Sequence, residues 1–151
     1  MTAAAPTLED AIALAARAHA GQLDKAGQPY ILHPLRVMMR LSDPPARIVA
    51  ILHDTVEDTD LTLEQLRAAG YPAEILAALD AVTRRDTETY EEFVQRSALD
   101  PIGRRVKLAD LADNMDLRRL PEVKDKDADR LERYQRAWSQ LMAIEEAARA
   151  E

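Results

Sequence analysis

A chain of 151 residues with 47% hydrophobic content, no cysteine and only 4 glycines suits one helical domain with a sizeable core, and it excludes disulfides and thiolate metal sites. A net charge of −7, from 20 basic and 27 acidic residues, argues against nonspecific nucleic-acid binding but leaves room for an anionic small molecule. No apolar run reaches the roughly 18 residues of a membrane span, and the Thr/Ala-rich start lacks a signal-peptide pattern, so the expectation is a cytoplasmic protein with no membrane partner.

The pattern predicts helices throughout. Thr7 caps the first, with Leu8, Ala11, Ile12, Ala15 and His19 on one stripe. Gly21 to Pro34 reads as a loop, punctuated by Gly27 and Pro29. A helix follows Pro34 up to Leu41. Pro44 and Pro45 open the next, with Ile48, Ile51, Leu52 and Val56 inward. Thr62 and Gln65 form a capping box for a short helix ending at Gly70, and Pro72 starts another to about Val82. Thr87 or Thr89 starts a helix through Ser97. Asp100-Pro101 starts one to about Leu120. The last helix runs from about 127 to 148, with Leu131, Tyr134, Trp138, Leu141, Met142 and Glu145 on one side. The expected organisation is all-α, a single domain over 1–151 with its core at about 7–120.

The stretch from Ile51 to Thr59 places His53, Asp54, Glu57 and Asp58 directly after an apolar run. If the segment is helical, His53 stacks on Glu57 and Asp54 on Asp58. Carboxylates so near a core are costly unless paired or coordinated, so the cluster suits a metal and an activated water better than a structural helix end. Further candidate ligands are His33, at a loop-to-helix junction before Pro34, and Asp110, on the same helical line as Val106 and Leu117. Each has a plainer reading: His33 as a loop histidine bonded to backbone, Asp110 paired with Lys107 or an arginine. His19, on an apolar stripe, reads as a satisfied core histidine.

In order, the pieces His19-Ala20-Gly21-Gln22, Ala26 to Pro34, Leu52 to Thr59, and Lys107-Leu108-Ala109-Asp110 with Asn114-Met115 resemble the HD-domain metal-dependent phosphohydrolases of the RelA/SpoT type, and in size the small alarmone hydrolases. Val82-Thr83-Arg84 looks like a further family segment, and the resemblance covers roughly residues 8 to 120. It implies an HD-type helical bundle holding one Mn²⁺ on His33, His53, Asp54 and Asp110. Zn²⁺ or Fe²⁺ suit the same donors. Glu57 and Asp58 match the pair that orients or deprotonates water. The implied reaction removes the 3′-diphosphate of guanosine tetra- or pentaphosphate as pyrophosphate. A chain of this length has no room for a synthetase domain, so hydrolysis alone is expected.

Three departures touch the substrate side. Asp24 stands where the family has a base-contacting cation, followed by the expected Lys25. Leu111, Ala112 and Asp113 replace an arginine, an apolar residue and a histidine. Asp116 and Leu117 replace an arginine and a threonine. Lys25, Arg84, Lys107, Arg118 and Arg119 are candidate phosphate contacts, Lys25 and Lys107 favoured by position, each with a solvated surface cation as the plainer reading. Asn114 and Asp24 complete the expected substrate set. A phosphatase for another nucleotide (a nucleoside monophosphate or NADPH) and a nucleotide sensor without turnover are the alternatives. The complete Glu57-Asp58 pair speaks against the sensor. A homo-oligomer stays open.

Overall fold

The computed structural model describes residues 3–151. It is all-helical apart from an isolated antiparallel bridge between Leu23 and Pro29. The helices are α1 (Leu8–Ala18), α2 (Leu32–Met39), α3 (Pro44–Leu52), α4 (Thr55–Asp58), α5 (Leu63–Ala68), α6 (Ala73–Ala81), α7 (Tyr90–Ala98), α8 (Pro101–Asn114) and α9 (Asp125–Arg149), with a 3₁₀ turn at Leu117–Arg119 before α9.

Most helix starts follow the local chemistry. Thr7, Thr62 and Thr89 each close a capping box, with Asp10, Gln65 and Glu92 respectively. Asp43 and Asp100 cap helices whose first turns carry proline, where no amide hydrogen is needed. Gly70 ends α5 at a φ of +97°, a conformation that favours glycine. Pro34 lies inside the first turn of α2 rather than before it, which the unpaired amides of that turn allow.

Helix α3 is the hub. Val49, Ala50, Ile51 and Leu52 are all fully buried, because α1, α2, α6 and α8 pack around it. Helix α8 faces two cores. Val106 and Ala109 join the cluster around α3, while Leu108 and Leu111 join a second cluster with Val94 and Ala98 of α7 and Ala137 and Leu141 of α9. Arg96 ties α7 to the α6 end. It donates to the Asp80 and Thr83 carbonyls at 2.7 Å each and makes a two-pronged contact with Glu88 at 2.6 and 2.8 Å.

Three expectations need correction. The helix from Pro101 stops at Asn114, not near Leu120. The Asp116 carboxylate accepts from the Arg118 amide at 3.2 Å and opens the 3₁₀ turn, so Leu117 leaves the Asp110 line. The segment around His53 is not one continuous helix but a junction between α3 and α4. The Thr55 hydroxyl caps the Leu52 carbonyl at 2.7 Å there. On α9 the buried residues are Asp127, Ala137, Leu141 and Glu145, and Trp138 is exposed on the flank.

Candidate metal centre

Four donor atoms converge from three places: His33 from the first turn of α2, His53 and Asp54 from the α3–α4 junction, and Asp110 from α8. All four side chains are buried. His33 Nε2 lies 3.0 Å from Asp110 Oδ1 and 3.6 Å from Asp54 Oδ2. His53 Nε2 lies 3.1 Å from Asp54 Oδ2 and 3.3 Å from Asp110 Oδ1. His33, His53 and Asp54 each offer one atom within 4.8 Å of the others.

The other ring nitrogens are committed. His33 Nδ1 meets Asp113 Oδ2 at 2.7 Å, and His53 Nδ1 meets the Ala50 carbonyl at 2.6 Å. Both partners only accept, so both Nδ1 atoms donate. That leaves two Nε2 lone pairs facing two carboxylates. His53 Nε2 is buried without any hydrogen-bond partner. Lone pairs so close repel unless a cation lies between them, and nitrogen and oxygen donors in this arrangement fit a divalent metal.

The electrostatics point the same way. Burial opposes charge on His53, yet Asp54 and Asp110 outweigh it and raise its pKa well above the usual value. His33 is raised too, its contacts with Asp110 and Asp113 overcoming burial. Burial also acts against charge on Asp110, but Lys107 at 2.9 Å and both histidines hold it far below the carboxylate range.

Glu57 and Asp58 sit exposed at the rim, in a group with Asp54. Burial by neighbouring atoms and the carboxylates around it raise the pKa of each. Tyr30 is a member of the site that the sequence reading did not single out. Its hydroxyl donates to Asp54 Oδ2 at 2.5 Å, and burial with the nearby carboxylates pushes its own pKa far up, so it remains a donor. His19 is buried against Tyr30, with ring centres 5.0 Å apart. Its Nδ1 pairs with Gln22 at 2.7 Å, but its Nε2 has no partner, so it is only half satisfied.

A cavity of about 380 Å³ opens beside the cluster, with His33, Tyr30 and Asn114 at its inner end and Lys25, Arg119, Arg130 and Tyr134 among its walls. Asn114 also donates to Asp110 Oδ1 at 3.1 Å. Asp24 lines the cavity, but its Oδ1 accepts from the amides of Ala26 and Gln28, each at 2.9 Å, and its Oδ2 lies 3.6 Å from Arg119. Lys107 is not among the lining side chains. It lies buried beneath Asp110, with the Phe93 ring centre 5.0 Å away. Arg84 bonds the Glu88 carbonyl on an exposed loop away from the cavity, and Arg118 is not among the lining side chains but pairs with Asp116, which is. Arg130 and Tyr134 lie one turn apart on α9. That spacing is visible in the sequence, but its nearness to the cavity is not.

Comparison with known proteins agrees with this geometry. Residues 11–141 match the HD domain family. The chain is 39% identical over 121 residues to a protein from Streptomyces coelicolor named GTP pyrophosphokinase, covering 72% of this chain and 14% of that one. It is 32% identical over 123 residues to a guanosine-3′,5′-bis(diphosphate) 3′-pyrophosphohydrolase from Aquifex aeolicus, covering 74% of this chain and 18% of that one. The chain thus spans less than a fifth of the length of either relative. Its fold matches a solved structure described as a metazoan ortholog of SpoT that hydrolyzes ppGpp, with a TM-score of 0.76 at 21% identity over 96% of this chain and 93% of that one. With the family match spanning most of its length and the histidine–aspartate cluster at its centre, the chain belongs to the HD domain family.

Proposed function

We propose that this chain is a metal-dependent hydrolase that removes the 3′-diphosphate of guanosine tetra- or pentaphosphate as pyrophosphate. The observation that carries the reading is the convergence of His33, His53, Asp54 and Asp110 beside a cavity with Lys25 and Arg130 in its walls. The four residues would hold one divalent cation, with Mn²⁺ as first choice and Zn²⁺ or Fe²⁺ compatible with the same donors. Such a cation supplies Lewis acidity, lowering the pKa of water and neutralising phosphate charge.

The chain's own groups do the rest. Glu57, with Asp58 beside it, accepts the proton of the attacking water. The raised pKa of each carboxyl brings it closer to neutral strength, which suits a general base. Tyr30 holds Asp54, and Lys107 holds Asp110, so both carboxylates keep one orientation. Water adds to phosphorus as its proton passes to Glu57, the bond to the 3′ oxygen breaks, and that oxygen takes up a proton from solvent as it leaves. Lys25 and Asn114 face the cavity and contact substrate. Lys107, paired with Asp110, supports the cluster, and Asp24 acts on its own loop.

Relatives carry both pyrophosphokinase and pyrophosphohydrolase names, and Glu57 and Asp58 at the rim favour water as the acceptor. We place the protein in the cytoplasm, where its substrate would be. Among the described residues no helix is long and apolar enough to cross a membrane.

A substrate panel with Mn²⁺, Zn²⁺ and Mg²⁺, read for phosphate and pyrophosphate, tests the reading. Pyrophosphate released from guanosine tetraphosphate supports it. Phosphate from NADPH or a nucleoside monophosphate, with guanosine tetraphosphate intact, reassigns the substrate. Binding without any product makes the chain a sensor.

A further inference from the structure

Asp113 is the most engaged carboxylate in the molecule, and nothing in the proposed reaction uses it. Its side chain is 1% exposed. Oδ2 accepts from His33 Nδ1 at 2.7 Å and from Arg36 Nη2 at 3.1 Å, and Oδ1 accepts from Arg36 Nε at 2.8 Å. Arg119 Nη2 lies 3.5 Å from Oδ2, and Arg40 lies 3.9 Å from Oδ1. Three arginines therefore surround a carboxylate whose remaining contact is the back of a candidate metal ligand.

We infer that Asp113 is a positioning residue that fixes the ring orientation and tautomer of His33, and that Arg36 in turn fixes Asp113. The inference rests on the metal-binding reading of His33. Without an acceptor behind it, the ring of His33 is free to rotate about its side-chain bonds and to carry its proton on either nitrogen. With Asp113 in place, Nδ1 must donate and the Nε2 lone pair must face Asp54 and Asp110. A buried carboxylate beside a neutral ring is costly by itself, and Arg36 offsets that cost through its two-pronged contact. The pair crosses from α2 to α8, so it also sets the distance between the helices that carry His33 and Asp110. Where the resembling family has a histidine, this chain has the anion that a ligand histidine needs behind it.

The arrangement makes Asp113 three residues beyond Asp110 on the same face of α8. One helix thus carries a candidate ligand and the acceptor that orients another.

Metal affinity tests this without any substrate. Mn²⁺ binding is titrated against a competing chelator in the wild type, Asp113→Ala, Asp113→Asn and Arg36→Met. Asp113→Ala is expected to bind about 10–100-fold more weakly, the usual size of such a loss. Asp113→Asn keeps an oxygen acceptor and is expected to recover most of that affinity. Arg36→Met should fall between. Wild-type affinity in Asp113→Ala overturns the proposal, and so does an equal loss in the Ala and Asn variants. If Asp113→Ala does not fold, ring-nitrogen NMR of the Zn²⁺-loaded wild type decides. A slowly exchanging His33 Nδ1 proton, shifted downfield, supports the role of Asp113. A rapidly exchanging one overturns it. If the metal does not engage His33 at all, the spectrum shows no Nε2 perturbation, which separates failure of the metal reading from failure of this one.

Discussion

The imidazole of His53 turns back along its own helix and donates from Nδ1 to the carbonyl of Ala50, 2.6 Å away. That carbonyl belongs to the last turn of α3, where the helical pattern ends, and it also accepts from the His53 backbone amide at 3.4 Å. The side chain thus helps end the helix and, in the same act, aims Nε2 at Asp54 and Asp110. Local helix termination and ligand orientation are one event here.

From this follows the first prediction. His53→Ala and Asp110→Ala should each abolish stoichiometric metal binding, measured as metal content after gel filtration, and with it turnover. Chelation of the wild type should lower its melting temperature, since a ligand bound only by the native state stabilises by about 2.7 kcal/mol at a hundred times its Kd. Full occupancy in both variants would contradict the ligand assignment.

In the proposed reaction Glu57 acts on water rather than on the metal. Glu57→Gln should retain the metal and lose roughly 10²–10⁴-fold in kcat, the usual scale of general-base catalysis. Parallel metal analysis and steady-state kinetics check this, and a wild-type rate would remove Glu57 from the mechanism.

Position 24 gives a third. The Asp24 carboxylate holds the amides of Ala26 and Gln28 and reaches Arg119, so it organises the loop that lines the cavity. Asp24→Arg therefore should not tighten substrate binding, even though it adds a cation. The loop should loosen, hydrogen exchange at Ala26 and Gln28 should quicken, and KM should rise several-fold with kcat less affected. A lower KM with unchanged exchange would show that charge outweighs loop order.

Acid stability offers a fourth, away from the site. Hydrogen bonds from Arg96, opposed by burial and helped by the Arg85 amide, depress Glu88 from 4.5 to about 2 in the folded protein. A depressed carboxyl stabilises the fold above its unfolded pKa and loses that contribution as pH falls through its folded one. The wild type should therefore lose stability relative to Glu88→Gln as pH falls from about 4.5 to about 2. Melting curves of both proteins, freed of metal, should be furthest apart above pH 5 and converge near pH 2, and curves parallel throughout would rule the pair out as a source of acid sensitivity.

Much of this is legible in the sequence alone. Capping boxes at Thr7, Thr62 and Thr89, and prolines after Asp43 and Asp100, announce helix starts through strictly local bonds. The convergence of His33, His53, Asp54 and Asp110 was expected from their resemblance to a known motif. What stayed hidden depends on contacts distant in sequence. Tyr30 meets Asp54 and Asp113 meets His33 across 24 and 80 residues of chain, and neither partner can be inferred from periodicity. From its position Lys107 is a candidate phosphate contact or a solvated cation. Only packing against Phe93 and Asp110 turns it inward. The early end of α8 was missed because Asp116 competes for backbone amides just where the apolar pattern continues.

The candidate metal cluster and much of the cavity wall come from different stretches of chain, with His33 common to both. The metal-facing residues come from α2, the α3–α4 junction and α8, whereas Arg130, Leu131 and Tyr134 of α9 and the turn at Leu117–Arg119 shape much of the recess beside them. If the proposed reaction holds, diversification at the cavity-lining positions of α9 is expected to alter which molecule is accepted while the four candidate ligands stay unchanged. For protein engineering, a library at Arg130 and Leu131 is a natural starting point for new substrates, whereas Tyr134 also packs against the cluster of Leu108 and Leu111 of α8, the helix that carries Asp110.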